Sequence, residues 1–160
     1  MNVLTFNLAY GTLVCWVAAR IYVLPRLGER SPRSVLLPIL LLHSLRHLGL
    51  MFVAPGATHP GLPTAFAYPG ALGDLTAALL ALIAIPAVAT EARAAKPLVW
   101  IFNVWGTLDL ALAIALATAY DAAPFMGPAY WIPAFWVPAL LVTHYITFVV
   151  LVRHWHEARG

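Results

Sequence analysis

His43, Arg46 and His47 lie together in HSLRHLGL, residues 43–50, inside a stretch otherwise apolar enough to cross a bilayer. Spacings of three and four residues put all three on one face of a helix. Neutral imidazoles at i and i+4 can hold a metal or haem iron. An arginine stays charged in any setting, so it must find an acid or water if it leaves the surface. Four more groups able to do chemistry stand in apolar surroundings: Asp74 in GALGDLTAA, Asn103 and Asp109 in FNVWGTLDL, and His144 in LLVTHYITF. HSLRH lacks the glutamate of a zinc-protease HExxH motif. The chain also shows no glycine-rich phosphate loop, no GxSxG elbow and no glycosidase-type carboxylate pair.

The elements that must position these groups follow from composition. Of 160 residues, 62% are hydrophobic and 9% charged, with a mean hydropathy of +0.86. Soluble domains carry about 25% charged residues, so the solvent for most of this surface is lipid. Continuous apolar runs such as LTAALLALIAIPAVA exclude the alternation of a membrane β-barrel and predict an all-α bundle. At about 20 residues per span, one transmembrane domain over 1–160 holds five helices at about 3–24, 34–54, 71–90, 98–120 and 131–153. LPRLGERSPRS, PGATHPGLPTAFAYPG, EARAAKP and DAAPFMGPAY punctuate them with proline and glycine. The first ten residues lack the positive n-region of a cleaved signal peptide, so the first apolar segment reads as a retained helix.

Of nine lysines and arginines, all but Arg46 fall on one side: Arg20, Arg26, Arg30 and Arg33, then Arg93 and Lys96, then Arg153 and Arg159. The positive-inside rule makes that side cytoplasmic, with the N-terminus outside and the C-terminus inside. Tyr120, Tyr130 and Trp131 at one boundary and Trp100 and Trp155 at the other fit interfacial belts. The basic residues form no run, so the net charge of +3 points to a membrane and not to nucleic acid. Cys15 is the single cysteine, which excludes an internal disulfide, a cysteine zinc site and an iron–sulfur cluster held by this chain alone.

Arg46 comes out about 8 residues from the outer end of the second helix, ~12 Å deep at 1.5 Å per residue. Facing lipid there costs at least ~2.5–3.5 kcal/mol, so it should face the bundle interior and pair with Asp109 or Asp74. Asp109 lies at ~16 Å on the same measure. Asp74 reads as nearer the outer end of the third helix, where a cap or dipole partner is an alternative role. His43 and His144 lie at similar depth, Asn7 and Tyr10 reach toward the layer from the first helix, and Asn103 lies deeper. Alanines at small-xxx-small spacing, Ala77 and Ala81, then Ala111, Ala115 and Ala119, predict close helix approach. His59 reads as a loop residue, His154 and His156 as a solvated tail, and Cys15, Trp105 and Trp136 as packing or lipid-facing groups.

HSLRHLGLMFVAPG, YPGALGDL, FNVWGTLDL and IPAFWVPALLVTH together resemble a group of small bacterial multi-spanning membrane proteins. The resemblance implies an inner-membrane location and puts His43, Arg46, His47, Asp74, Asn103, Asp109 and His144 in the motif-bearing stretches. It names no reaction. Three readings follow from the residues. The first is a ligand-binding membrane protein whose pocket, lined by those seven side chains, takes a small or lipid-like ligand under loop 55–70. The second is a redox protein or enzyme with haem or a metal on His43, His47 and His144. The third is a structural subunit, docked on a membrane partner or on copies of itself, whose ion pair locks helix register.

Overall fold

A computed structural model describes residues 3–155; His156 and Arg159 of the basic tail lie outside the described residues. Five helical runs are long and apolar enough to cross a membrane: Val3–Glu29, Pro32–Phe52, Thr64–Ala89, Ala95–Ala119 and Gly127–His154. Their regular α segments are α1 (Val3–Ala18), α2 (Pro32–Ser44), α3 (Thr64–Ala89), α4 (Ala95–Ala119) and α5 (Val137–Val149). The first run ends in a π turn, Ala19–Val23, and a 3-10 turn, Leu24–Glu29. The last is bracketed by π turns at Ile132–Trp136 and Val150–His154.

α2 packs on α3, α3 on α4, α4 on α5, and α5 back on α2, closing a ring of four. α1 stands outside the ring, packed along α5 and the π turn before it. Its long side chains, among them Phe6, Tyr10 and Leu13, are exposed on the bundle surface. Tyr10 stacks on Phe6 and stays out of the interior, while the Asn7 amide donates to the Tyr130 hydroxyl at 3.0 Å. The first helix therefore adds nothing to the buried polar layer, contrary to the sequence expectation.

Each ring helix owes its buried face to a regular apolar stripe. On α4 the apolar part of that face is Ala95, Val99, Phe102, Gly106 and Leu110, at steps of three and four, with Asn103 and Asp109 buried beside it. It leaves Ala111, Ala115 and Ala119 exposed, so that alanine repeat is not a packing seam. The repeat on α3 is one: Ala77 and Ala81 are fully buried. α3 begins at Thr64, seven residues before the start read from sequence, because Phe66, Ala67, Gly70 and Ala71 all pack inward. That burial outweighs the backbone bond Pro69 deletes.

Two larger apolar cores result, with a smaller cluster of Leu110, Val137 and Leu140 beside them. One, around Leu36, Leu40, Ala84, Val99, Phe102 and Leu151, fills the end that carries the basic residues. The other, around Phe52, Phe66, Ala71, Met126 and Ala129, fills the opposite end. The connectors 53–63 and 120–131 are stitched together over this second core, with His59 N–H donating to Phe125 O at 2.9 Å and Ala129 N–H to Ala57 O at 3.1 Å. At the other end Arg33 stands 3.9 Å from Glu91 and Lys96 lies over the Trp155 ring. Such exposed pairs are worth little energetically. The polar residues sit between the two cores.

Candidate functional site

The site begins with a change of helix type. α2 ends at Ser44 and continues as a 3-10 helix, Leu45–Phe52. Each α residue turns the chain ~100° and each 3-10 residue ~120°. The switch brings Arg46 almost directly beneath His43 and carries His47 ~100° around the axis. The buried residues of this run are accordingly His43, Arg46, Gly49 and Phe52, three apart. His47 is exposed, its Nδ1 3.1 Å from the carbonyl of Ser44 in its own helix. Sequence spacing, which assumes an unbroken α-helix, places it wrongly on the Arg46 face. His47→Ala should therefore shift unfolding by no more than ~0.5 kcal/mol, measured by denaturant titration in micelles; a large loss would mean the ring belongs to the buried set.

Arg46 is the hub. Its side chain is 0% exposed, and it takes partners from each of the other three ring helices. Nε donates to Asp74 Oδ1 on α3 at 2.7 Å and Nη2 to Asp109 Oδ2 on α4 at 2.6 Å. Nη1 donates to the Gly106 carbonyl at 3.3 Å and meets Nε2 of His144 on α5 at 3.2 Å. Both acids pair with the arginine, where the sequence left a choice between them. Asp74 stands in the third turn of α3, since that helix starts at Thr64, so it is a buried partner and no cap.

The hub also sets the protonation of its neighbours. A guanidinium can only donate, so Nε2 of His144 accepts and the ring proton sits on Nδ1. That N–H donates to Asn103 Oδ1 at 2.7 Å, and the Asn103 amide donates back to the His144 carbonyl at 3.3 Å. The loop fixes His144 as a neutral imidazole and the Asn103 amide in one orientation. His43 lies beside it, ring centroids 4.3 Å apart, with Phe102 closing the third side. The Thr143 hydroxyl donates to the carbonyls of Ala139 and Leu140, so His43 Nε2–H donates to Thr143 Oγ1 at 2.9 Å. That leaves His43 Nδ1 buried and without a partner. Six of the seven residues singled out from sequence thus share one layer, and His47 stands apart. Among the described residues no group of three or more histidine, cysteine or acidic side chains converges so as to hold a metal ion. His43, His47 and His144 in particular do not form one ligand set.

Sequence reasoning missed three glycines. A Cβ on Gly49 would run into the Asp74 carboxylate, and one on Gly73 into the Asp109 carboxylate. One on Gly106 would stand 2.6 Å from His144 Cε1 and 2.8 Å from Arg46 Nη1. Each charged side chain therefore lies on a bare stretch of a neighbouring helix. The signal was present as HSLRHLGL, GALGDL and FNVWGTLDL, where every helix that supplies a charge supplies a glycine within three residues of it.

Two openings reach the layer. A cleft of about 110 Å³ runs between α1 and α4 beneath the stitched connectors, walled by Leu4, Leu8, Phe66, Leu110, Ala117 and Met126, with Asp74 on its wall. A groove of about 480 Å³ lies on the outer surface between α3 and α4, and Asp109 lines it.

The family model for Domain of unknown function (DUF8737) matches residues 3–152. No curated protein and no solved structure matches the chain.

Proposed function

This chain belongs to the family described as Domain of unknown function (DUF8737), and from its four-helix hub we propose that it is a polytopic membrane protein binding a small or lipid-like ligand within the bilayer. One observation carries the reading: Asp74, bound to a fully buried arginine, lies on the wall of a mainly apolar cleft, lined also by Thr5 and Thr118, whose side borders the lipid-exposed α1. Such a cleft takes an apolar body and leaves a few polar contacts to orient it. α1 packs chiefly along α5 and its preceding turn and gives no partner to Arg46, so the cleft can widen without breaking the hub. In this reading the basic face is cytoplasmic, as the positive-inside rule requires, and the cleft belongs to the outer half of a cell membrane. The connectors 53–63 and 120–131, tied to each other, roof its outer end. Four hydrogen bonds already occupy Arg46, so its task is to hold the two carboxylates and it does not capture an anionic ligand. A histidine-held haem or metal gains no support from His144, whose ring nitrogens are both engaged.

The test is native mass spectrometry of the purified protein in mild detergent after incubation with a mixed lipid extract. The wild type should keep an adduct through detergent exchange, and Ala117→Trp, which fills the cleft from α4, should reduce its occupancy at least ten-fold. Ala113→Phe serves if the tryptophan perturbs folding. Absence of any retained adduct would favour the structural-subunit reading, in which the hub only locks the ring.

A further inference from the structure

Asp74 and Asp109 are two carboxylates on one guanidinium, and neither histidine supplies a second charge: His144 accepts from Arg46, and His43 has no partner for a second N–H. With both carboxylates ionised the hub is one positive charge short of neutrality, a deficit filled either by a proton on one of them or by a bound cation. The structure also offers a place for it. Asp109 gives Oδ2 to Arg46, while its other oxygen lies over Gly73 with no hydrogen bond from any described residue. Its side chain is 7% exposed, and both Asp109 and Gly73 line the α3–α4 groove.

The rest of the groove is suited to an apolar cation. Leu72, Leu108 and Leu112 are each more than half exposed on the bundle surface, and Trp105 is 46% exposed. An indole face within ~6 Å of a cation adds ~0.5–2 kcal/mol of attraction, most where water is absent. A small hydrated ion would lose its water here and find one free carboxylate oxygen and the Thr76 hydroxyl, which already donates to Leu72 O. A cation whose charge is spread over an apolar body loses much less on leaving water. We propose that the α3–α4 groove is a binding site for one lipophilic monocation, held by Asp109 and flanked by Trp105. The inference rests on reading the hub as a binding site, but it uses the groove that Asp109 lines and not the cleft that Asp74 lines.

Tetraphenylphosphonium and tetraphenylborate share a shape and differ in the sign of charge, so they separate charge recognition from apolar partitioning. Equilibrium dialysis of the full chain in a neutral detergent, or in nanodiscs, should show saturable binding of the phosphonium at one per chain. The borate should bind at least ten-fold more weakly. Asp109→Asn should weaken the phosphonium at least ten-fold. Thr76→Trp, which leaves every charge in place and fills the groove, should do the same and keeps the test open if the Asn variant fails to fold. Equal uptake of both ions, binding unchanged by either substitution, or no saturable uptake of the phosphonium would overturn the proposal. The lipid adduct of the α1–α4 cleft is read separately: if it persists while the phosphonium fails, this inference falls alone.

Discussion

Arg46→Ala is expected to lower the stability of the bundle by about 3–5 kcal/mol, the usual cost of removing one partner from a buried charged set. The substitution leaves Asp74 and Asp109 facing each other in the centre of the ring with no cation between them, and removes a side chain that bonds to α3, α4 and α5 together. The same arithmetic predicts a rescue. The triple variant Arg46→Met, Asp74→Leu, Asp109→Leu removes all three buried charges and should recover to within ~1–2 kcal/mol of the wild type, because apolar replacement of an entire buried ion set is often neutral. Reversible unfolding in mixed micelles, read by tryptophan fluorescence, measures both. An Arg46→Ala midpoint equal to the wild type would mean that apolar packing alone holds the ring. A triple variant that folds yet retains no ligand would separate the binding role of the hub from its structural one, which the single substitution cannot do.

Gly106→Ala should cost at least ~2 kcal/mol, from overpacking together with a weakened hydrogen bond at the hub. The added methyl would stand 2.6 Å from His144 Cε1, 2.7 Å from its Nε2 and 2.8 Å from Arg46 Nη1. All three atoms belong to side chains already pinned, His144 by Asn103 and Arg46 by two carboxylates. Relief must come from moving α4 away from α5, which stretches the Arg46–His144 contact. Gly28→Ala is the control, since nothing lies within 4 Å of the methyl it would add; the same unfolding experiment should find that variant within ~0.5 kcal/mol of the wild type. Equal behaviour of the two variants would mean that the hub is loosely packed and that its glycines are incidental.

Five membrane-length helices and the need for an inward-facing Arg46 were legible in the chain itself. Both follow from solvent preference: apolar runs of about 20 residues match the bilayer, and an unpaired cation in hydrocarbon is too costly to leave exposed. The seven other described lysines and arginines gather at one end for the same class of reason, and no tertiary contact is needed to see it. The shared level of His43, Asp109 and His144 was legible as a set of depths, because depth accumulates along a helix in steps that sequence counts.

Rotation about each helix axis was what sequence could not supply. His47 left the layer because eight residues turn as a 3-10 helix, and that choice follows from how Gly49 and Phe52 pack on α3. Ala111, Ala115 and Ala119 face outward, because Gly106, Asp109 and Leu110 already claim the buried side of α4. Asp74 lies deep because tertiary burial extends α3 back through Pro69. Likewise α1 looks from sequence like any other span, yet it stays outside the ring, because α2 closes on α5 without it. Hydropathy and charge decided how many helices are long enough to cross and, Asp74 apart, roughly where the charged groups sit in depth. Only packing decided which side of each helix meets Arg46, since that depends on contacts between residues far apart in the chain.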